Sequence, residues 1–228
     1  MNHKCESRAM NLVQEYLLTP KIGLPTIINI EGSVDVFSSS WYPPHGMIKI
    51  DEDVERYRYV IEDTEPEVIV ECGTATGASA EWFSNFGPDV ITVDVYDSVD
   101  SSRRLRCGSK VKWLIGSSID SNIEKQIRDF AANKKCMVIL DSDHHACHVL
   151  AEMKLYHDIV TPECYMVVED GVFRWLPHDP DKQWPGGHGP LEAIETFLPN
   201  HKEFMRDENV ESLYPITMDP AGWLRKCA

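Results

Sequence analysis

Six acidic residues, Glu71, Asp94, Asp141, Asp143, Glu169 and Asp170, stand at or just beyond the ends of short apolar runs. Carboxylates in such places can receive a ribose hydroxyl pair, hold a hard cation, or take a proton. Asp143 follows the run in "CMVILDSD", and Glu169 and Asp170 follow the run in "CYMVVEDG". If those runs are neighbouring strands, their ends bring three carboxylates together. The set suits a hard divalent cation, since Mg²⁺ takes one or two carboxylates and fills its other positions with water and substrate oxygens. "DSDHHACH" adds His144, His145, Cys147 and His148. On one continuous helix His144 and His148 share a face, which raises zinc, but no second ligand group with recognised spacing accompanies them. A single histidine beside the carboxylates, acting as a base, is the better reading; His144, His145 and Asp143 are the candidates for that base. The plain alternative is that these acids cap helices or sit solvated.

A second constellation lies in "VIVECGTATGASAEWF", residues 68–83. A β-branched run breaks into small residues and resumes with helix formers, so the backbone of the loop can approach a ligand and a helix can begin behind it. The loop is not G-x-G-x-x-G, because Thr74 and Ala75 follow Gly73. On its own it is equally a tight turn. Asp94, about twenty residues further on at a strand end, is where a carboxylate meets a ribose. "GSS", residues 116–118, ends a third run where an adenine ring could be edged. Together these favour a nucleotide-like cofactor.

The elements that must position these groups follow from five apolar runs, "EVIVECG", "VITVDVYD", "VKWLIGSS", "CMVILDSD" and "CYMVVEDG". They lack polar alternation, as strands covered on both faces do. Helix-compatible segments, residues 123–132 and 144–159 among them, lie between the runs. The pattern predicts an α/β fold: a mostly parallel, doubly wound sheet in three αβα layers, with ligands beyond the carboxyl ends of the strands. A helix over residues 51–63 leads into the first strand. "HGPLEAIETFLP" starts another at Gly189 and Pro190. Strand-like segments follow at 203–206 and 213–218. Residues 1–50, with "WYPPHG", form an arm or lid; residues 51–228 form the main domain, the whole being one globular unit.

Composition narrows the partners. A formal charge of −15 disfavours binding to a nucleic-acid backbone or an anionic membrane surface. Seven cysteines without C-x-x-C pairing indicate free thiols in a reducing cytoplasm. No run has the length of a membrane span.

Four stretches resemble one family: "VIVECGTATGASAEWF", "VILDSDHHACHVLAEMKLYHDIVTPECYMVVEDGV", "GPLEAIETFL" and "MDPAGWLRK", with a looser match in "GMIKIDEDVERYRYVI". The chain is similar, from about Gly46 to Lys226, to the cephalosporin hydroxylase-type methyltransferases, relatives of the macrolide sugar O-methyltransferases. The resemblance implies a Rossmann-like class I methyltransferase fold that binds S-adenosylmethionine, with Mg²⁺ or another hard divalent cation close by. It implies Glu71, Gly73, Thr74, Gly77, Ser79, Asp94, Ser117 and Asp141 as cofactor-binding residues, and Asp143, Glu169 and Asp170 as metal ligands. It further implies a homo-oligomer acting on a small hydroxylated molecule or sugar. Despite the family name, there is no facial triad of the kind a non-haem iron oxygenase needs. Acceptor choice is expected in the arm and in "WLPHDPDKQWPGGH", residues 175–188. Two rival readings are a metal-dependent phosphoesterase, prompted by the D-H-H of "DSDHH", and a catalytically silent nucleotide-binding module.

Overall fold

The computed structural model describes residue 47, residues 49–175 and residues 188–228. The expected arm up to residue 46, and the proline- and glycine-rich segment from residue 176 to 187, lie outside them.

Helix α1 (Asp51–Thr64) opens with Asp51, Glu52 and Asp53, acids that favour a helix amino terminus. Alternating strands and helices follow: β1 (Val68–Cys72), α2 (Ala78–Ser84), β2 (Asp89–Asp94), α3 (Ser101–Cys107), β3 (Val111–Ile115), α4 (Ser121–Ala131), β4 (Cys136–Leu140), α5 (Ala146–Tyr156) and β5 (Tyr165–Val168). A 3-10 turn (Gly171–Trp175), α6 (Pro190–Phe197), β6 (Phe204–Arg206), α7 (Glu208–Glu211) and β7 (Trp223–Lys226) complete the chain. The seven strands lie in the order β3-β2-β1-β4-β5-β7-β6. β1 to β5 are parallel, while β7 runs antiparallel to both β5 and β6. The chain order reverses between β1 and β4, the kind of switch point at which such sheets bind ligands.

Period two explains the layers. Val68, Val70 and Cys72 of β1, with Cys136, Val138 and Leu140 of β4, pack with residues of α4, α5 and α6. Ile69, Met137 and Ile139 face the other way, onto Tyr57, Val60 and Ile61 of α1 and Ala80 and Phe83 of α2. Each fully buried Val or Ile contributes roughly 1.5–3 kcal/mol. The central strands therefore cannot slip register without turning both sets of apolar residues the wrong way. Glu71 shares its face of β1 with Ile69, so register places a carboxylate beneath α1.

The five predicted runs are β1 to β5, and Pro190 stands at the first position of α6, where Glu192 Oε2 accepts from the Gly189 amide at 2.8 Å. Two expectations need correction. Residues 213–218 form no strand, because Arg56, fully buried in α1, draws that segment into a loop. Its guanidinium donates to the carbonyls of Glu211, Tyr214 and Ile216 at 2.7–2.8 Å, and its Nε donates to that of Val210 at 3.2 Å. The last strand is β7 instead. The helix expected from residue 144 begins at Ala146, since Asp143 Oδ1 accepts from the His145 amide at 2.9 Å and ends the turn there. His144 therefore precedes the helix and shares no face with His148.

Arg56 also donates to Asp53 Oδ1 at 2.8 Å with both side chains buried. Arg56→Met leaves a buried carboxylate without its counter-charge and four carbonyls without their side-chain donor, and is expected to cost about 3–5 kcal/mol in chemical denaturation. A loss below about 1 kcal/mol would show that the loop holds without it.

Candidate functional site

The carboxyl ends of β1, β2, β4 and β5 gather the acids read from the sequence. Glu71 is 1% exposed. Thr92 donates to Glu71 Oε2 at 2.6 Å, which leaves Thr74 to donate to Thr92 across the 2.7 Å between their hydroxyl oxygens. This chain ties the loop after β1 to the strand beneath it. Ser79, in the first turn of α2, also hydrogen-bonds Glu71. Burial pushes the Glu71 carboxyl up to about 7, against the pull of Ser79 and Thr92.

Asp94 closes the other side of the loop. Its Oδ2 accepts from the amides of Thr74 at 3.1 Å and Ala75 at 2.8 Å, and Oδ1 accepts from Tyr96 at 3.0 Å. The loop glycines answer to protein neighbours. Gly73 has φ +102°, and a Cβ there would lie 1.8 Å from the Asp141 carbonyl oxygen. At Gly77, with φ +77°, a Cβ would meet the Trp113 ring at 2.7 Å. The glycines let the loop after β1 close against the chain just past β4 and against the Trp113 ring of β3, and that crowding shapes the mouth. Ser117 caps a turn after β3, its carbonyl accepting from Asp120 at 3.0 Å.

Beyond β4 and β5 lies the acidic cluster. Donor atoms of Asp141, His144 and Asp170 all fall within 4.8 Å of one another. His144 Nε2 is 3.5 Å from Asp170 Oδ2, and its ring stands edge-on to Phe173. Asp170 holds φ +60°, a strained conformation for a non-glycine residue, and its amide donates to the buried Asp219 at 2.8 Å. Enclosure pushes the Asp170 carboxyl up to about 6, with His144 pulling it down. Asp143 is not brought to this group: its side chain is 47% exposed and bonded to His145, Oδ1 lying 2.6 Å from Nδ1. Glu169 is brought there but is already engaged. Lys49 Nζ donates to both its oxygens and to Asp141 Oδ2 at 2.9 Å, and Tyr57 donates to Glu169 Oε1 at 2.6 Å.

Lys49, Tyr57 and Asp219 were not singled out from the sequence. Lys49 lies in "GMIKIDEDVERYRYVI" as an unremarked cation, and only the three-dimensional register of α1 against β5 brings it to Glu169. Asp219 sits in "MDPAGWLRK", where the signal was a motif without an assigned role.

Both ligand classes have a fit in this geometry. Asp141, Asp170 and Glu169 offer hard oxygens, and an ammonium already bridges two of them. For an adenosyl group, the mouth supplies Asp94 at the end of β2 and a further buried acid, Glu152 of α5. Glu152 Oε1 accepts from Ser118 at 2.5 Å and Ser142 at 2.6 Å. Glu152 also faces the Cys72 thiol, and its Oε2 has no hydrogen-bond partner within ordinary distance. A second His/Glu group, His157, His201 and Glu203, lies at the opposite ends of the strands, near the amino end of β6.

Two consequences are measurable. Gly73→Ala is expected to cost more than Gly87→Ala, which carries the backbone strain of about 1–3 kcal/mol but meets nothing within 4 Å. Equal losses would contradict the crowding at Asp141. The Glu71 carboxyl has a raised folded-state value, so as pH climbs from about 4.5 to about 7 the unfolded chain releases a proton that the folded one keeps. Stability therefore falls over that window, by about 3.5 kcal/mol at roughly 1.4 kcal/mol per unit. Glu71→Gln should gain on the wild type by that amount between pH 4.5 and 8 in denaturant titrations. A gap independent of pH would show Glu71 titrating at its ordinary value.

Comparison with known proteins agrees with this architecture. The sequence family described as Rhamnosyl O-methyltransferase/CmcI matches residues 36–227. The chain is 33% identical over 183 residues to the rhamnosyl O-methyltransferase of Mycobacterium bovis (strain BCG / Pasteur 1173P2), covering 75% of this chain and 72% of that protein. It is 32% identical over 169 residues to that of Mycobacterium leprae (strain TN), covering 70% and 69%. Among solved structures, CmcI with Mg and SAM is similar in fold, with TM-score 0.60 at 18% identity over 95% of this chain and 96% of the other. MycE methyltransferase with Mg, SAH and mycinamycin VI is also similar, with TM-score 0.54 at 17% identity over 83% and 52%. The chain thus belongs to the rhamnosyl O-methyltransferase/CmcI family, an S-adenosylmethionine-dependent O-methyltransferase family.

Proposed function

We propose that this chain transfers a methyl group from S-adenosylmethionine to a hydroxyl oxygen of a sugar or other small hydroxylated molecule, assisted by Mg²⁺. The observation that carries the reading is the juxtaposition, at one switch point, of a loop held by Asp94 and Glu71 with hard donors at Asp141 and Asp170. The relatives named for rhamnosyl groups favour a deoxysugar acceptor. The same reading makes the enzyme a cytoplasmic homo-oligomer without nucleic-acid or membrane partners. The described cysteines are free, with Cys72, Cys136 and Cys164 buried, and no described helix is long and apolar enough to cross a membrane.

When bound, S-adenosylmethionine supplies an electrophilic methyl group and Mg²⁺ supplies charge that acidifies and orients nearby hydroxyls. Gly73, Thr74 and Gly77 give the loop its path, with Ser79 beneath it. Asp94, already fixed in position by the Thr74 and Ala75 amides, receives a ribose. Glu71 keeps the loop at its height, and Ser117 and Ser118 border the adenine side. Asp141 and Asp170 hold the cation, with Glu169 adjoining. His144 is one-sixth exposed, with Nε2 3.5 Å from Asp170 Oδ2, so it can accept the acceptor's proton while the Asp170 carboxylate offsets the charge gained. Asp143 points away to His145 and contributes by ending the turn that presents His144.

Titration of S-adenosylmethionine into the protein should show micromolar binding, weakened at least tenfold in Asp94→Ala. Absence of binding by the wild type would overturn the reading. With a rhamnosylated acceptor, His144→Gln should lower kcat about 100-fold or more while leaving cofactor affinity unchanged. Full turnover in that variant would remove His144 as the base.

A further inference from the structure

The Mg²⁺ reading leaves one feature unused: a lysine inside the carboxylate group. Lys49 has a side chain 6% exposed, and its ammonium is shared between Glu169, at 6%, and Asp141, at 28%. It also stands 5.7 Å from the centre of the Tyr57 ring, whose hydroxyl donates to the same Glu169. Both oxygens of Glu169 thereby accept from donors, Oε1 from Lys49 and Tyr57 and Oε2 from Lys49, so an ion that takes Glu169 must share it with the ammonium or displace it. The group left facing the mouth is Asp141, His144 and Asp170. Mg²⁺ prefers oxygen to imidazole, and the oxygen that would replace His144 is the one Lys49 holds.

We propose that Lys49 is an internal competitor for the divalent cation: its ammonium neutralises Glu169 and Asp141 in the cation-free protein and leaves them when the ion takes Glu169. The inference rests on the metal-assisted reading above and adds a residue to it. Physical necessity supports the first half. Glu169 is enclosed beside a second carboxylate, and an unpaired charge in such a place costs several kcal/mol. Like-charge repulsion supports the second half. An ammonium that stays on Glu169 and Asp141 opposes any ion sharing Asp141, whereas one that departs frees oxygens for it. The position of Lys49, two residues before α1, lets it move without disturbing a helix or a strand.

The test is titration calorimetry with MgCl₂ alone on the wild type, Lys49→Met and Lys49→Gln. Both variants should bind the ion at least tenfold more tightly than the wild type. Lys49→Gln keeps a donor to Glu169 without the charge and serves if Lys49→Met fails to fold. Unchanged or weaker binding in a folded variant overturns the inference and makes Lys49 a positioning residue for the ligands. If the wild type binds no Mg²⁺ and a variant does, the competitor stands while the metal-assisted reading of the native enzyme fails. If none binds, both fail. As a second readout, Lys49 should react with an amine-acylating reagent faster in saturating Mg²⁺ than without it, measured by peptide mass spectrometry. Protection independent of Mg²⁺ would contradict displacement.

Discussion

The structure depends on compensating negative charge gathered at the carboxyl ends of its strands. Parallel strands in register deliver Glu71, Asp141, Glu169 and Asp170 to one end of the sheet, and the folded chain must satisfy them there. It does so with few cations. Lys49 serves two carboxylates, Tyr57 adds a hydroxyl, Thr92 and Ser79 serve Glu71, and the strained Asp170 is held by its amide on Asp219. Helix α1 is the common support. From it Tyr57 reaches Glu169, while Arg56 and Asp53 fasten the loop that carries Asp219: Asp53 accepts from Thr217 at 2.7 Å and from the Met218 amide at 2.8 Å.

That arrangement separates what must be rigid from what can exchange. The glycine loop is fixed twice, from below by the Glu71, Thr92 and Thr74 chain and from the side by Asp94. A site that discriminates between a sulfonium cofactor and its product needs such fixed geometry, because transfer in line tolerates little misplacement. The carboxylates after β4 and β5 are held instead by an ammonium on a flexible stem. One half of the mouth is preorganised, and the other has a cation that a better cation can replace.

Most of the fold was legible from the sequence because strands covered on both faces leave continuous apolar runs, and all five such runs are strands. Residues 213–218 were misread because their carbonyls bond to Arg56, a partner more than 150 positions away that no local pattern announces. The placement of the loop was legible for a similar reason. Loop, Asp94 and the end of β3 are tied to strand ends by spacing alone. The acidic cluster was legible only in composition. "DSDHH" offers two aspartates two positions apart, and spacing does not say which one faces the mouth. The hydrogen bond from the His145 amide to Asp143 decides it, turning Asp143 outward and leaving Asp141 beside Asp170. Lys49 carried no signal, since a lone lysine ahead of a helix is ordinarily solvated.

The most direct measurement is a crystal structure of the protein grown with Mn²⁺ and S-adenosylhomocysteine, with the ion located by anomalous scattering. A peak bounded by Asp141 and Asp170, with the nucleoside over Gly73–Gly77 and its ribose on Asp94, is the predicted result. A peak only at His157, His201 and Glu203, or a nucleoside bound away from the loop, would contradict a methyl-transfer site at the switch point.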